Sequence, residues 1–234
     1  MIAAVSTIEA APEHRAPGHH VVVLAAAGLA TTAPVWLREW CRRCGRELTV
    51  REVGSTGGLG SSALLREAEN LLGAIVFVNR PATDRRQPTR VTAALRERAG
   101  DEPVLIEAVD VAQQLRAELE IAHAVPLSYG ERSVGLPAAI DQATDILKGA
   151  AQRVEREAPS VHVLTRLYRR YPHELAALDT DLLVLGWAHR DNPTRVGLVA
   201  RSALSGGDCP LLLVPPGVTR WPRTEDAAVG SPCR

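Results

Sequence analysis

The sequence predicts an α/β protein built on a parallel sheet, with five strands in its second half and a shortened three-stranded unit in its first. Three observations carry this. Short continuous apolar runs recur, such as HVVVLAA at 20–26 and AIVFVN at 74–79; runs of this kind suit strands buried on both faces. Amphipathic stretches at helical spacing separate them, and strands alternating with helices imply right-handed crossovers in one sheet. The third is Asp181 to Pro216, DLLVLGWAHRDNPTRVGLVARSALSGGDCPLLLVPP. It reads as an apolar strand, a Gly, a polar loop, a Gly-started helix and a second apolar strand. The loop of such a βαβ unit lies where α/β folds bind ligands.

Each element has its own signal. After the first strand, Thr32 and Pro34 suit a helix start, and VWLREWCRRC places Trp36, Leu37, Trp40 and Cys44 broadly on one face. Gly45 stops that helix. ELTVREV (47–53) alternates like a strand. A Gly-rich loop, GSTGGLGSS, leads into the helix SALLREAENLLG and the strand at 74–79. PATDRRQPTR breaks the pattern, so 81–88 is the expected linker between units at 19–80 and 89–217. The second unit then reads as a strand at 90–95 and a helix opened by Asp101 and Pro103. A strand at 117–125, a helix at 138–158 and a strand at 160–169 follow. The short helix HELAAL, the strand DLLVLGWA, a helix at 195–204 and the strand CPLLLVPP complete it. Residues 1–18 read as a disordered leader and 218–234 as a flexible tail.

Composition limits the function classes. The 27 basic residues match the 27 acidic ones, which argues against bulk electrostatic binding to nucleic acid or an anionic membrane. No apolar run is long enough to span a bilayer, and the first 18 residues lack the basic-then-apolar pattern of a signal peptide. The cytoplasm is therefore the expected location, where cysteines are reduced. Lys148 is the only Lys, and Ala is abundant, which reads as GC-rich coding and a bacterial source. Cys41 and Cys44 form a CRRC, but no second pair completes a zinc site. The pair also falls near a helix end rather than at the N-terminus that would favour a thiolate. Two structural thiols are expected.

AELEIAHAV, the long loop before the largest helix, TDLLVLG, GLVARSAL and CPLLLVPP together resemble the universal stress protein family, over about Thr89 to Gly217. The resemblance implies a five-stranded, adenine nucleotide alpha hydrolase-like sandwich in the strand order 3-2-1-4-5. The first half resembles a degenerate tandem copy of the same unit. Family members commonly dimerise through their last strand, so the resemblance implies a homodimer through 209–214.

ATP-binding members of that family carry an Asp at the end of the first strand. After the fourth strand they carry a G-x-x-G-x9-G-(S/T) run. Glycines there let main-chain N–H groups approach phosphates, and a hydroxyl adds a donor at a helix N-terminus. This chain departs at most of these points. Leu95-Arg96 stands at the Asp position. Gly186 matches the first Gly, His189 replaces the second, Gly197 arrives two residues early, and Leu198 replaces the Ser/Thr. The expected candidate site is therefore Arg96, Gly186, His189, Arg195, Gly197 and Arg201, a loop able to attract an anion other than ATP in its usual pose. No cofactor is expected, although ATP or another adenine nucleotide is possible. The partner is an unidentified protein or small molecule.

The expected function is a non-catalytic module in stress response or regulation. The alternative is a nucleotide-binding protein or slow ATPase with altered phosphate contacts. Tyr171 and His173 would lie near the same strand ends, most simply as packing or surface groups. Thr56 to Ser62 resembles the SGGxDSS pyrophosphate loop of ATP pyrophosphatases, with Thr for the first Ser and Gly for the Asp; a lone Gly-rich loop is weak support for such chemistry. No nucleophile elbow is present, and HELAAL is not HExxH.

Overall fold

The computed structural model describes residues 19–26, 33–53, 61–71, 73–78, 87–96, 101–127, 134–189, 192–206 and 209–217. The expected leader and tail, most of the expected linker and most of the Thr56 to Ser62 loop lie outside those residues.

The chain runs β1 (His20–Ala26), α1 (Val35–Arg43), β2 (Glu47–Val53), α2 (Ser61–Glu69), β3 (Ile75–Val78), β4 (Arg90–Ala94), α3 (Glu102–Leu115) and β5 (Glu118–Val125). It continues through α4 (Gly135–Glu157), β6 (Val163–Arg169), a 3-10 helix (Pro172–Ala177), β7 (Leu182–Gly186), β8 (Ala188–His189), β9 (Asn192–Val196), α5 (Leu198–Gly206) and β10 (Leu211–Val214). Eight strands form one sheet in the order β2-β1-β3-β10-β7-β4-β5-β6, and β8 with β9 form a small separate hairpin. Read from β6 to β10, the five later strands stand in the expected order 3-2-1-4-5. Strands β1 to β3 are parallel to one another, as are the five later ones.

The junction between the two sets is antiparallel. Leu211 stands opposite Val78, Leu212 opposite Phe77 and Leu213 opposite Val76. The other side of β10 pairs with β7. This corrects the homodimer expected through 209–214. Both main-chain edges of β10 are taken within the chain, so no second copy can add a strand there.

Helices cover both faces. On one, α1, α3 and α4 pack over a core that includes Val21, Val23, Phe77, Val91, Ala93, Leu119 and Ile121. On the other, α2, α5 and the 3-10 helix pack over Val22, Leu24, Val76, Leu183, Leu185 and Leu213. Consecutive strand residues thus feed opposite cores, which explains the unbroken apolar runs. Under α1, Trp36 meets Phe77 edge-on at 5.5 Å, and Leu37 and Trp40 are buried beside it.

Helix α3 is buried nearly all round, because α1 and α4 flank it on the sheet. The α1–α3 contact is polar at its centre. Arg46 makes a two-pronged ion pair with Glu107, 2.6 Å on each prong, and neither side chain is more than 11% exposed. Its guanidinium also lies 4.5 Å from the centre of the Trp40 ring, and the Trp40 indole donates to Asp110 at 2.8 Å. These contacts tie the expected first unit to the second.

Several element boundaries differ from expectation: α2 ends at Glu69 rather than Gly73, and α4 starts at Gly135 rather than Ala138. The last helix starts at Leu198, not Arg195, because 192–196 runs back along 188–189 as β9. The strand expected from Ser160 starts at Val163.

Candidate functional site

The strand order reverses direction at β4. From there β5 and β6 build one way, β7 and β10 the other. The carboxyl ends of β4 and β7 therefore border the switch-point crevice, where open α/β sheets bind ligands. Ala94 pairs with Leu185, so Leu95 and Arg96 leave the sheet beside Gly186 and Trp187.

Sequence reasoning placed Arg96 and Gly186 in one site, and the structure brings them to the same strand ends. It adds Asp101, expected only as a helix start. Asp101 holds the N-cap position of α3, yet its side chain does not cap the helix. Its carboxylate turns back to accept the Arg96 main-chain N–H, and the Arg96 guanidinium lies 3.7 Å away. Asp101 is 4% exposed, while Arg96 is about half exposed.

Gly186 has a packing reason to be Gly. A Cβ there would lie 3.3 Å from Val104 Cγ2 and 3.7 Å from Asp101 Oδ1. The first turn of α3 therefore rests directly on the end of β7.

His123, also missed from sequence, ends the same layer. Its Nδ1–H donates to the Leu95 carbonyl at 2.9 Å. Burial pushes its pKa below the ordinary histidine value, against the opposing pull of that bond and of Asp101. The ring is a neutral structural donor near pH 7. Its signal in the sequence was a polar residue inside the otherwise apolar run IAHAV.

The loop after β7 behaves differently from a phosphate cradle. The Gly197 N–H donates to the Trp187 carbonyl at 2.7 Å, so that donor is engaged within the loop. Leu198, in place of a hydroxyl, opens α5 and is 65% exposed. Arg201 is exposed in the first turn of α5, its N–H bonded to the Gly197 carbonyl at 2.9 Å. His189 lies in β8 and Arg195 in β9, across the hairpin from one another's strands. Their side chains lie outside the described residues. Tyr171 and His173 stack at 5.8 Å by the 3-10 helix, which packs on α5 and β5.

Beside the crevice, between α3 and α4, lies a groove of about 300 Å³ lined by Leu95, Leu105, Ile146 and Ala150 with Asp101, Glu102 and Arg153. Arg153 bridges to Glu102 across its mouth. Asp101, His123 and Arg96 give this corner a buried carboxylate, a neutral imidazole and a guanidinium. None of these groups is a hydroxyl or thiol nucleophile, and among the described residues no cluster of three metal-ligating side chains occurs.

No family model matches the sequence, and no curated protein matches it. Solved structures do resemble it. A universal stress protein from Archaeoglobus fulgidus is 20% identical, with 54% of this chain covering 98% of that one at a TM-score of 0.46. A universal stress protein of the same organism in complex with dAMP is 19% identical, with 55% of this chain and 99% of that one matched and a TM-score of 0.45. A third universal stress protein, from Archaeoglobus fulgidus DSM 4304, matches 85% of this chain and 86% of its own at 13% identity and a TM-score of 0.43. At these identities and TM-scores the likenesses carry no argument by themselves; the expected universal stress protein-like fold rests on the strand order 3-2-1-4-5 observed above.

Proposed function

We propose that this chain is a non-catalytic, universal stress protein-like module that acts in stress response or regulation by binding a small ligand or a protein partner. In this reading it does not hydrolyse ATP and needs no cofactor. One observation carries the reading: both glycines that survive from the ATP signature are committed to internal contacts. Gly186 receives the first turn of α3, and the Gly197 N–H is bonded to Trp187. The replacement of the helix-opening hydroxyl by exposed Leu198 supports it further. The balanced charge of the chain supports partners other than nucleic acid. Among the described residues no helix is long and apolar enough to cross a membrane, which agrees with a cytoplasmic site of action.

Native mass spectrometry of the purified chain, followed by analysis of released small molecules, tests the proposal. The expected result is a non-nucleotide ligand or none. Co-purifying ATP or ADP would instead support the alternative, a nucleotide-binding form that reaches the phosphates through His189, Arg195 and Arg201.

A further inference from the structure

With β10 closed, the sheet ends at β2 on one side and β6 on the other. These two edges differ in what they offer a second strand. Strand β6 reads VLTRLYR and is followed by Arg170, so it carries cations and no carboxylate. A second copy laid along it would meet its own charge, the usual protection of an edge. Strand β2 reads ELTVREV and carries both signs.

The hydrogen-bond phase of β2 is set by β1. The Glu47 N–H donates to the His19 carbonyl at 3.0 Å. Alternation along a parallel strand then directs the main-chain N–H and C=O groups of Leu48, Val50 and Glu52 away from β1. An antiparallel copy must pair these outward residues with one another, which restricts the allowed registers. With a two-fold axis through Thr49, Leu48 faces Val50 in two hydrogen-bonded pairs. Glu47 then faces Arg51 in two non-hydrogen-bonded pairs, where side chains lie closest. An axis through Val50 sets Leu48 against Glu52, and one through Arg51 sets the two arginines together.

The Thr49 register also sorts by face. Leu48 packs on the core beneath α1, and Val50 on that same face is 37% exposed. Two copies would enclose a small aliphatic cluster there. Arg51 lies on the α2 face, paired with Glu67 at 2.8 Å, so Glu47 of the second copy would complete a three-member network.

We propose that β2 is a homodimer edge: two copies join β2 strands antiparallel about Thr49, with Glu47 of each opposite Arg51 of the other. Sedimentation velocity on the full chain over a wide concentration range tests it. Wild type gives a monomer–dimer equilibrium. Glu47→Arg sets like charges together twice and weakens it on the order of tenfold or more, and Arg51→Glu does the same. Mixing those two variants restores complementary pairs on both sides, so the mixture dimerises where neither variant does alone. Circular dichroism melts confirm that each variant is folded. A wild type that stays monomeric overturns the proposal. So does a dimer indifferent to Glu47→Arg, which would use another surface, or a mixture that fails to associate.

Discussion

At Gly186 the absence of one carbon decides how closely a helix can approach a strand. With Val104 Cγ2 3.3 Å from where a Cβ would stand, Gly186→Val must displace α3 or distort its rotamers. Overpacking of this kind costs roughly 1–3 kcal/mol, so chemical denaturation is expected to show a midpoint lowered accordingly. A Gly186→Val protein as stable as wild type would show that the contact is loose. The thiols make a second case. Burial pushes the Cys41 thiol up to about 12. Burial also raises Cys44, helped by the Asp110 carboxylate 3.0 Å from its sulfur. Neither forms appreciable thiolate near neutral pH, and the thiolate is the reactive species. Folded protein at pH 8 is expected to leave both unalkylated by iodoacetamide while unfolded protein reacts, as peptide mass mapping would show. Fast labelling of either in the folded state would instead reopen a redox role for the CRRC.

Among elements, the α1–α3 contact holds the largest electrostatic stake. Removing the carboxylate in Glu107→Ala leaves Arg46 buried without its partner, a change that costs about 3–5 kcal/mol. Denaturant titration is expected to show that loss, and a loss below 1 kcal/mol would mean that water reaches Arg46. The start of β4 is held by Asp181, whose carboxylate accepts the Thr89 hydroxyl at 2.7 Å and the N–H groups of Thr89 and Arg90 at 2.8 and 3.0 Å. Burial raises its pKa, but those donors and the Arg90 charge together outweigh burial and hold it below the usual carboxylate value. Such a group stabilises fully above the unfolded value, about 4, and the contribution fades as pH falls through the lower folded value. The melting-temperature gap between wild type and Asp181→Asn is therefore expected to narrow on acidification below about pH 4; a gap constant from neutral to acid pH contradicts this. Legibility also divides by element. The apolar runs and Gly45 announced β1, β3 and the end of α1, because their signals are local. The sequence places the start of α5 three residues early because Arg195 and Val196 fit either state in isolation. Pairing with 188–189 makes them part of a strand, and Gly197 with Leu198 then opens the helix.

For the whole molecule, alternation implied a parallel sheet, and the resemblance alone implied the strand order of the second half. The β3–β10 junction did not. Pairing between strands some 135 residues apart leaves no mark on either strand's own sequence, and both are simply apolar. The same holds for the site: Arg96 and Gly186 were legible as signature positions, whereas Asp101 joined them only because the first turn of α3 packs on the end of β7. The central question is whether the crevice at the ends of β4 and β7 admits ATP in the pose of the universal stress protein signature. Isothermal titration calorimetry of the full chain with ATP and Mg²⁺ measures this most directly. No saturable heat in the micromolar range is expected. Micromolar binding by wild type that is lost in Gly197→Val would contradict it.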